Sequence, residues 1–179
     1  MRAGDAGHAE GPYLPLLKEG NVRQGFFERE QFERVKGHLP WALQGVAAFA
    51  YITGWRTPSE ILPLQWRHVD LKTGEVRLEP GATKNGEGRV FPFTTELRRL
   101  FDDQHHIAED LKRTRGIIAR YVFCYTDGPK AGQRISESAF IHRWGRARVA
   151  AGCPGRIPHD SVERQFVIWC EPACPSAWR

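Results

Sequence analysis

The run TGWRTPSEILPLQW, Thr53 to Trp66, predicts a corner between two helices with an arginine standing in it. Gly54 is a residue type that commonly ends a helix. Thr57, Pro58 and Glu60 then form a compact start signal, in which Thr57 caps, Pro58 suits the first helical position and Glu60 completes a capping box. Arg56 is thereby placed beside free helical N–H groups, a setting that suits a phosphate. The same residues also suit an ordinary turn with a solvated arginine. Pro63 removes a hydrogen bond from the following turn, so the second helix is expected to be short or kinked.

Working outward, Trp41 to Ile52 (WALQGVAAFAYI) is apolar almost all round, as a central buried helix is. Before it, Glu28 to Gly37 reads as a helix with Phe32 and Val35 on one face, and Pro40 separates the two. After the corner the hydrophobic period changes to two: VDL, a turn at Lys72 to Gly74, EVRLEP and RVFPF predict three strands. The loop before the third, GATKNGEG from Gly81 to Gly88, sets Lys84 at a hairpin tip beside an Asn-Gly turn signal. A lysine there is either solvated or functional.

Thr94 to Arg115 is predicted helical, with Leu97, Leu100, Phe101 and Leu111 spaced for burial. Ser136 to Ala151 is a further helix. Phe140, Ile141, Trp144 and Val149 are expected to face inward, leaving His142, Arg143, Arg146 and Arg148 as a basic surface that follows phosphates or is merely solvated.

Composition fits this picture. With 41% hydrophobic residues in 179, the chain suffices for one domain. Lysine and arginine number 26 against 21 acidic residues, a modest excess that suits a polyanion partner. No run of apolar residues is long enough to span a bilayer, so no membrane partner and a cytoplasmic location are expected. Cys124, Cys153, Cys170 and Cys174 lack the paired spacings of a zinc module and read as free thiols. No glycine-rich nucleotide loop or HExxH metal site occurs, so neither cofactor nor metal is expected.

TGWRTPSEILPLQWRHVDL resembles the first arginine box of the tyrosine recombinase (phage integrase) family, whose usual form is TGxRxxEllxLxWxDID. The match takes in the threonine-glycine pair, the arginine, the glutamate four residues after it, and the later tryptophan and aspartate. TKNGEGRVFPF is similar to the family's turn between its second and third strands, where a lysine protonates the leaving 5′ oxygen. GRIPHD resembles the start of the second box, commonly PHDLRRT. The resemblance implies an α+β fold, mainly helical with a small antiparallel three-stranded sheet. It implies double-stranded DNA as partner, with Arg56 as phosphate clamp, Lys84 as general acid and His159 for phosphate contact or proton transfer.

Past Asp160 the resemblance stops. The second-box arginine position is Val162, and no tyrosine follows Tyr125 to act as nucleophile. The segment SVERQFVIWCEPACPSAWR has neither helical nor strand period and reads as an out-of-frame tail. Restoring one T after the Asp160 codon, with third bases chosen to suit, gives FRRTAVRNLVRAGVPERVA, which resembles the second box in frame. The expected organisation is a disordered or linker segment over 1–25, a partial, C-terminally incomplete catalytic domain over 26–160 and a non-family tail over 161–179. The domain that family members use to grip the other side of DNA is expected to be absent or a remnant. The function expected is that of a recombinase fragment that binds DNA and associates with itself or with a full-length recombinase, without cleaving. A non-catalytic regulator of recombination and a pseudogene product are the alternatives.

Overall fold

The computed structural model describes residues 27–81 and 88–154. Four α-helices and one small sheet account for most of it: α1 (Arg29–Gly37), α2 (Trp41–Thr53), α3 (Thr95–Arg115) and α4 (Glu137–Ala150), with β1 (Val69–Asp70), β2 (Glu75–Leu78) and β3 (Arg89–Pro92). The strands form an antiparallel meander in the order β1-β2-β3. The expected fold class, mainly helical with a three-stranded antiparallel sheet, is the one observed.

The apolar run from Trp41 forms α2, which lies at the centre. Leu43, Val46, Ala47, Phe49, Ala50 and Ile52 are all buried. Phe49 is fully enclosed, and its ring meets Trp55, Phe101 and Phe123 edge-on at centroid distances of 5.4, 5.7 and 5.7 Å. Quadrupole interactions favour these edge-to-face contacts. Gly45 lets the neighbouring elements approach closely, since a Cβ there would stand 2.9 Å from the Gln104 side chain and 3.3 Å from the Phe123 ring. Trp41 departs from the expectation of burial, being 60% exposed at the first turn.

Each helix stops where the chain supplies a means. Gly54 adopts φ 67°, a left-handed conformation open to glycine at little cost, and donates its N–H to Ala50 O at 2.9 Å. Thr94 accepts the Leu97 N–H on its hydroxyl to begin α3, and Ser136 does the same for Ala139 at the start of α4. α3 buries Leu97, Leu100, Phe101 and Leu111, the four residues its spacing marked. In α4 the buried face is Phe140, Trp144 and Ala147. Ile141 and Val149 point outward, 56% and 64% exposed, against expectation. The helix phase is set by the larger aromatic pair, whose stacked rings also bring Trp144 against Phe27 ahead of α1.

Between the corner and β1 the chain makes one short 3₁₀ turn, Trp66–His68. His68 Nδ1 accepts the Gln65 N–H at 3.1 Å, and Nε2 faces the Arg67 Nε–H at 3.2 Å. Burial first, and the neighbouring Arg67 guanidinium second, hold the His68 pKa below its ordinary value.

Two outcomes follow from this packing. Phe49→Ala removes a ring wedged among three others, and urea denaturation should show a loss of about 3–5 kcal/mol. Because the folded pKa of His68 lies below the ordinary histidine value of about 6.5, its contribution is complete above that value and declines as pH falls through it toward the lower folded one. A wild-type melting temperature that drops between about pH 7.5 and 5.5, with a smaller drop in His68→Gln, is the expected result.

Candidate phosphate-binding site

The corner after α2 is built from the inside outward. Trp55, 3% exposed, anchors it on Phe49, and the next residue, Arg56, turns to the surface. The following segment, Thr57–Ile61, is a π-helical turn. Glu60 and Ile61 both donate their N–H groups to Arg56 O, at 2.9 and 3.2 Å, and Leu62 donates to Thr57 O at 2.9 Å. Thr57 is therefore not the cap that the sequence suggests. Arg56 takes that position, and the Glu60 carboxylate reaches back to its N–H, with Oε2 at 2.9 Å. The match to the resembled pattern needs one correction: TGxRxxE sets the glutamate three residues after the arginine, whereas Glu60 stands four after Arg56 and so matches only across one inserted residue. A π turn absorbs one extra residue, and such turns occur often at functional sites. The segment ends at Ile61, two residues before Pro63, in keeping with the short helix expected there.

Glu60 is buried, with 1% of its side chain exposed. Two guanidiniums flank it. Arg56 Nη1 lies 3.7 Å from Oε1, and Arg89 Nη1, from the first residue of β3, lies 3.8 Å from Oε2. Both arginines remain about half exposed, at 46% and 45%. The antiparallel register pairs Arg89 with Leu78, which places it at one end of the β2–β3 pair. Gly54, Arg56, Pro58 and Ser59 line an open recess beside the corner. The Thr57 hydroxyl is buried and makes no hydrogen bond among the described residues.

This arrangement can bind an anion. Two guanidiniums carry two positive charges against one carboxylate, and their exposed edges present donors to solvent. Arg89 is the site residue that sequence reasoning missed. The available signal was its place directly after the Lys84 loop; its approach to Glu60 depends on strand register, which spacing alone does not give.

The remaining site residues fall in different places. Lys84 and His159 lie outside the described residues. On α4, Arg143 and Arg146 are exposed, whereas Arg148 is half-buried with its Nε out of contact with solvent. Arg148 follows Trp144 by one helical turn and so lies near the inward face. The three arginines thus do not form one surface. Cys124 and Cys153 are free, as expected, and both are buried, while Cys170 and Cys174 lie outside the described residues. Burial raises the Cys124 pKa. Among the described residues no group of three or more His, Cys, Asp or Glu is placed to hold a metal, and no helix is long and apolar enough to cross a membrane.

Comparison with known proteins bears on this geometry. Residues 31–161 match the model of the phage integrase family. Among solved structures, the fold is similar to that of a lambda integrase dimer bound to a COC′ core site, with TM-score 0.61 and 15% identity, over 86% of this chain and 55% of that one. It is also similar to XerA recombinase, with TM-score 0.54 and 15% identity, over 82% of this chain and 52% of that one. The chain thus spans about half the length of either structure. No curated protein sequence matches it.

Removing the buried acid should disturb the corner measurably. Glu60→Ala deprives the Arg56 amide of its acceptor and leaves a cavity, an expected loss of about 2–4 kcal/mol in chemical denaturation. Glu60→Gln keeps an acceptor oxygen and should lose less than half as much. Equal losses for the two variants would mean that charge, not the hydrogen bond, holds the turn.

Proposed function

The chain belongs to the phage integrase family, and from that premise we propose that it is a DNA-binding portion of a tyrosine-type site-specific recombinase in which Arg56 clamps the phosphate. The observation that carries this reading is the corner itself. A half-exposed guanidinium is set beside a buried carboxylate at the end of a core helix, within the region that matches the family.

The chemistry of such a recombinase is transesterification. A tyrosine hydroxyl attacks the phosphorus, a 3′ phosphotyrosine forms, and the 5′ oxygen leaves with a proton. The bond is stored and no cofactor is required. Catalysis then rests on placing positive charge where negative charge develops on the non-bridging oxygens, and on supplying the proton to the leaving group. In this reading Arg56 meets the phosphate, Lys84 protonates the 5′ oxygen, and His159 contacts the phosphate or transfers a proton. Arg143 and Arg146, exposed on α4, follow the DNA backbone.

The same reading makes these 179 residues unable to cleave by themselves. No tyrosine follows Tyr125, whose hydroxyl is engaged at 3.3 Å with both the hydroxyl and the N–H of Ser136 at the start of α4. Val162 stands where the family has its second arginine. The family match ends at residue 161, beside Asp160, after which one restored base with suitable third bases gives a run like the second box, and this supports a frame change at that point. The nucleophile and second arginine then belong to the restored frame or to a full-length partner.

Purified chain mixed with labelled duplex DNA tests this directly. Binding should weaken steeply between about 50 and 200 mM salt, as phosphate contacts require, and no DNA should remain attached after denaturation in detergent. A detergent-resistant adduct would overturn the missing nucleophile, and lack of binding at low salt would overturn the DNA reading.

A further inference from the structure

We propose that Arg89 is a second phosphate-contacting arginine of the Arg56 site, held in place by the same buried carboxylate. The inference deepens the reading of Arg56 as a phosphate clamp and rests on it. Glu60 offers one oxygen toward each guanidinium, with Arg56 Nη1 at 3.7 Å from Oε1 and Arg89 Nη1 at 3.8 Å from Oε2.

These separations matter. Other arginine–carboxylate pairs of the described residues are closed: Arg29–Glu96 and Arg77–Glu75 at 2.7 Å, Arg113–Asp110 at 2.6 Å, each a direct hydrogen bond. Those donors are in use. Around Glu60 the guanidiniums stand off, beyond hydrogen-bonding distance but close enough for strong attraction. Neither Arg56 nor Arg89 donates a side-chain hydrogen bond among the described residues. Glu60 Oε1 is buried without a hydrogen-bond partner there. Among the described residues, the carboxylate therefore positions both groups electrostatically and leaves their donor edges unspent.

Charge count points the same way. Two guanidiniums and one carboxylate carry a net charge of about +1, which a phosphodiester, with one negative charge and two non-bridging oxygens, neutralises. Arg89 thus supplies, from the sheet, a second guanidinium to the phosphate that Arg56 meets from the helix corner.

The test measures binding of a short duplex to the 179-residue chain across a salt series, for wild type, Arg56→Ala, Arg89→Ala, Arg89→Gln and the double alanine variant. Loss of one phosphate contact lowers the slope of log Kobs against log salt by about 0.9. Each single substitution should do so, and the double variant should lose about twice that. A slope unchanged in both Arg89 variants but lowered in Arg56→Ala would overturn the role of Arg89 and leave that of Arg56 standing. Unchanged slopes in every variant, or no salt-dependent binding by wild type, would overturn both. Glu60→Gln separates contact from counter-charge: if Arg89 only neutralises Glu60, the effect of Arg89→Ala should vanish in that background, whereas a phosphate contact keeps its slope loss. Melting temperatures measured alongside show which variants fold, and Arg89→Gln, which retains a polar side chain, carries the test if the alanine variant does not.

Discussion

A single carboxylate, that of Glu60, sits inside the protein at the junction of its helical and sheet parts, and the geometry of the corner depends on it. Taking a carboxylate out of water costs several kcal/mol even after relaxation. The cost is offset from two directions. Locally, Oε2 accepts the Arg56 amide at 2.9 Å; across the fold, Arg89 approaches from β3 at 3.8 Å. Glu60 therefore ties a backbone turn to a strand that follows it by some thirty residues, and neither can shift without leaving a buried charge less well compensated.

The rest of the core makes this position stiff. Gly54 ends α2 in a left-handed conformation, Trp55 packs its ring on Phe49, and Phe49 is itself held by Phe101 of α3 and by Phe123. Arg56 is thus fixed from its N-terminal side by apolar packing and from its C-terminal side by the acid. Dense packing resists continuous deformation, so the guanidinium projects from a rigid base although its own end is half exposed. A cation that must meet a phosphate in one geometry is served by this combination of fixed origin and open donors.

Much of this was legible in the sequence, because the signals were local. The apolar run and Gly54 gave α2 and its end; the change of period gave three strands; the spacing of Leu97, Phe101 and Leu111 gave the buried face of α3. The corner that holds Arg56 was legible because its neighbours form a recognisable box. The illegible parts have non-local or phase-dependent causes. The π turn arises from one extra residue between Arg56 and Glu60, which still satisfies a capping-box pattern when read as letters. Ile141 and Val149 look like core residues until Phe140 and Trp144, packed toward α1, set the helix phase and turn them outward. Arg148, taken with Arg143 and Arg146 as one basic face, is carried inward by that same phase. Arg89 carries no mark of its own at all, since only strand pairing brings it to Glu60.

The extra residue has a physical consequence for the chemistry. In a regular α turn, residues three and four apart stack on one face and a glutamate there closes onto the arginine side chain. The π turn instead lets the Glu60 carboxylate fold back onto the Arg56 amide, while the Arg56 side chain stays 3.7 Å away and open to solvent. The acid is thereby used for backbone placement and long-range charge balance and does not consume the donors of the arginine it positions. A closed salt bridge at this corner would stabilise the turn equally well yet leave the guanidinium nothing to offer an incoming anion. The open pairing is what allows one buried charge to serve both the fold and the site.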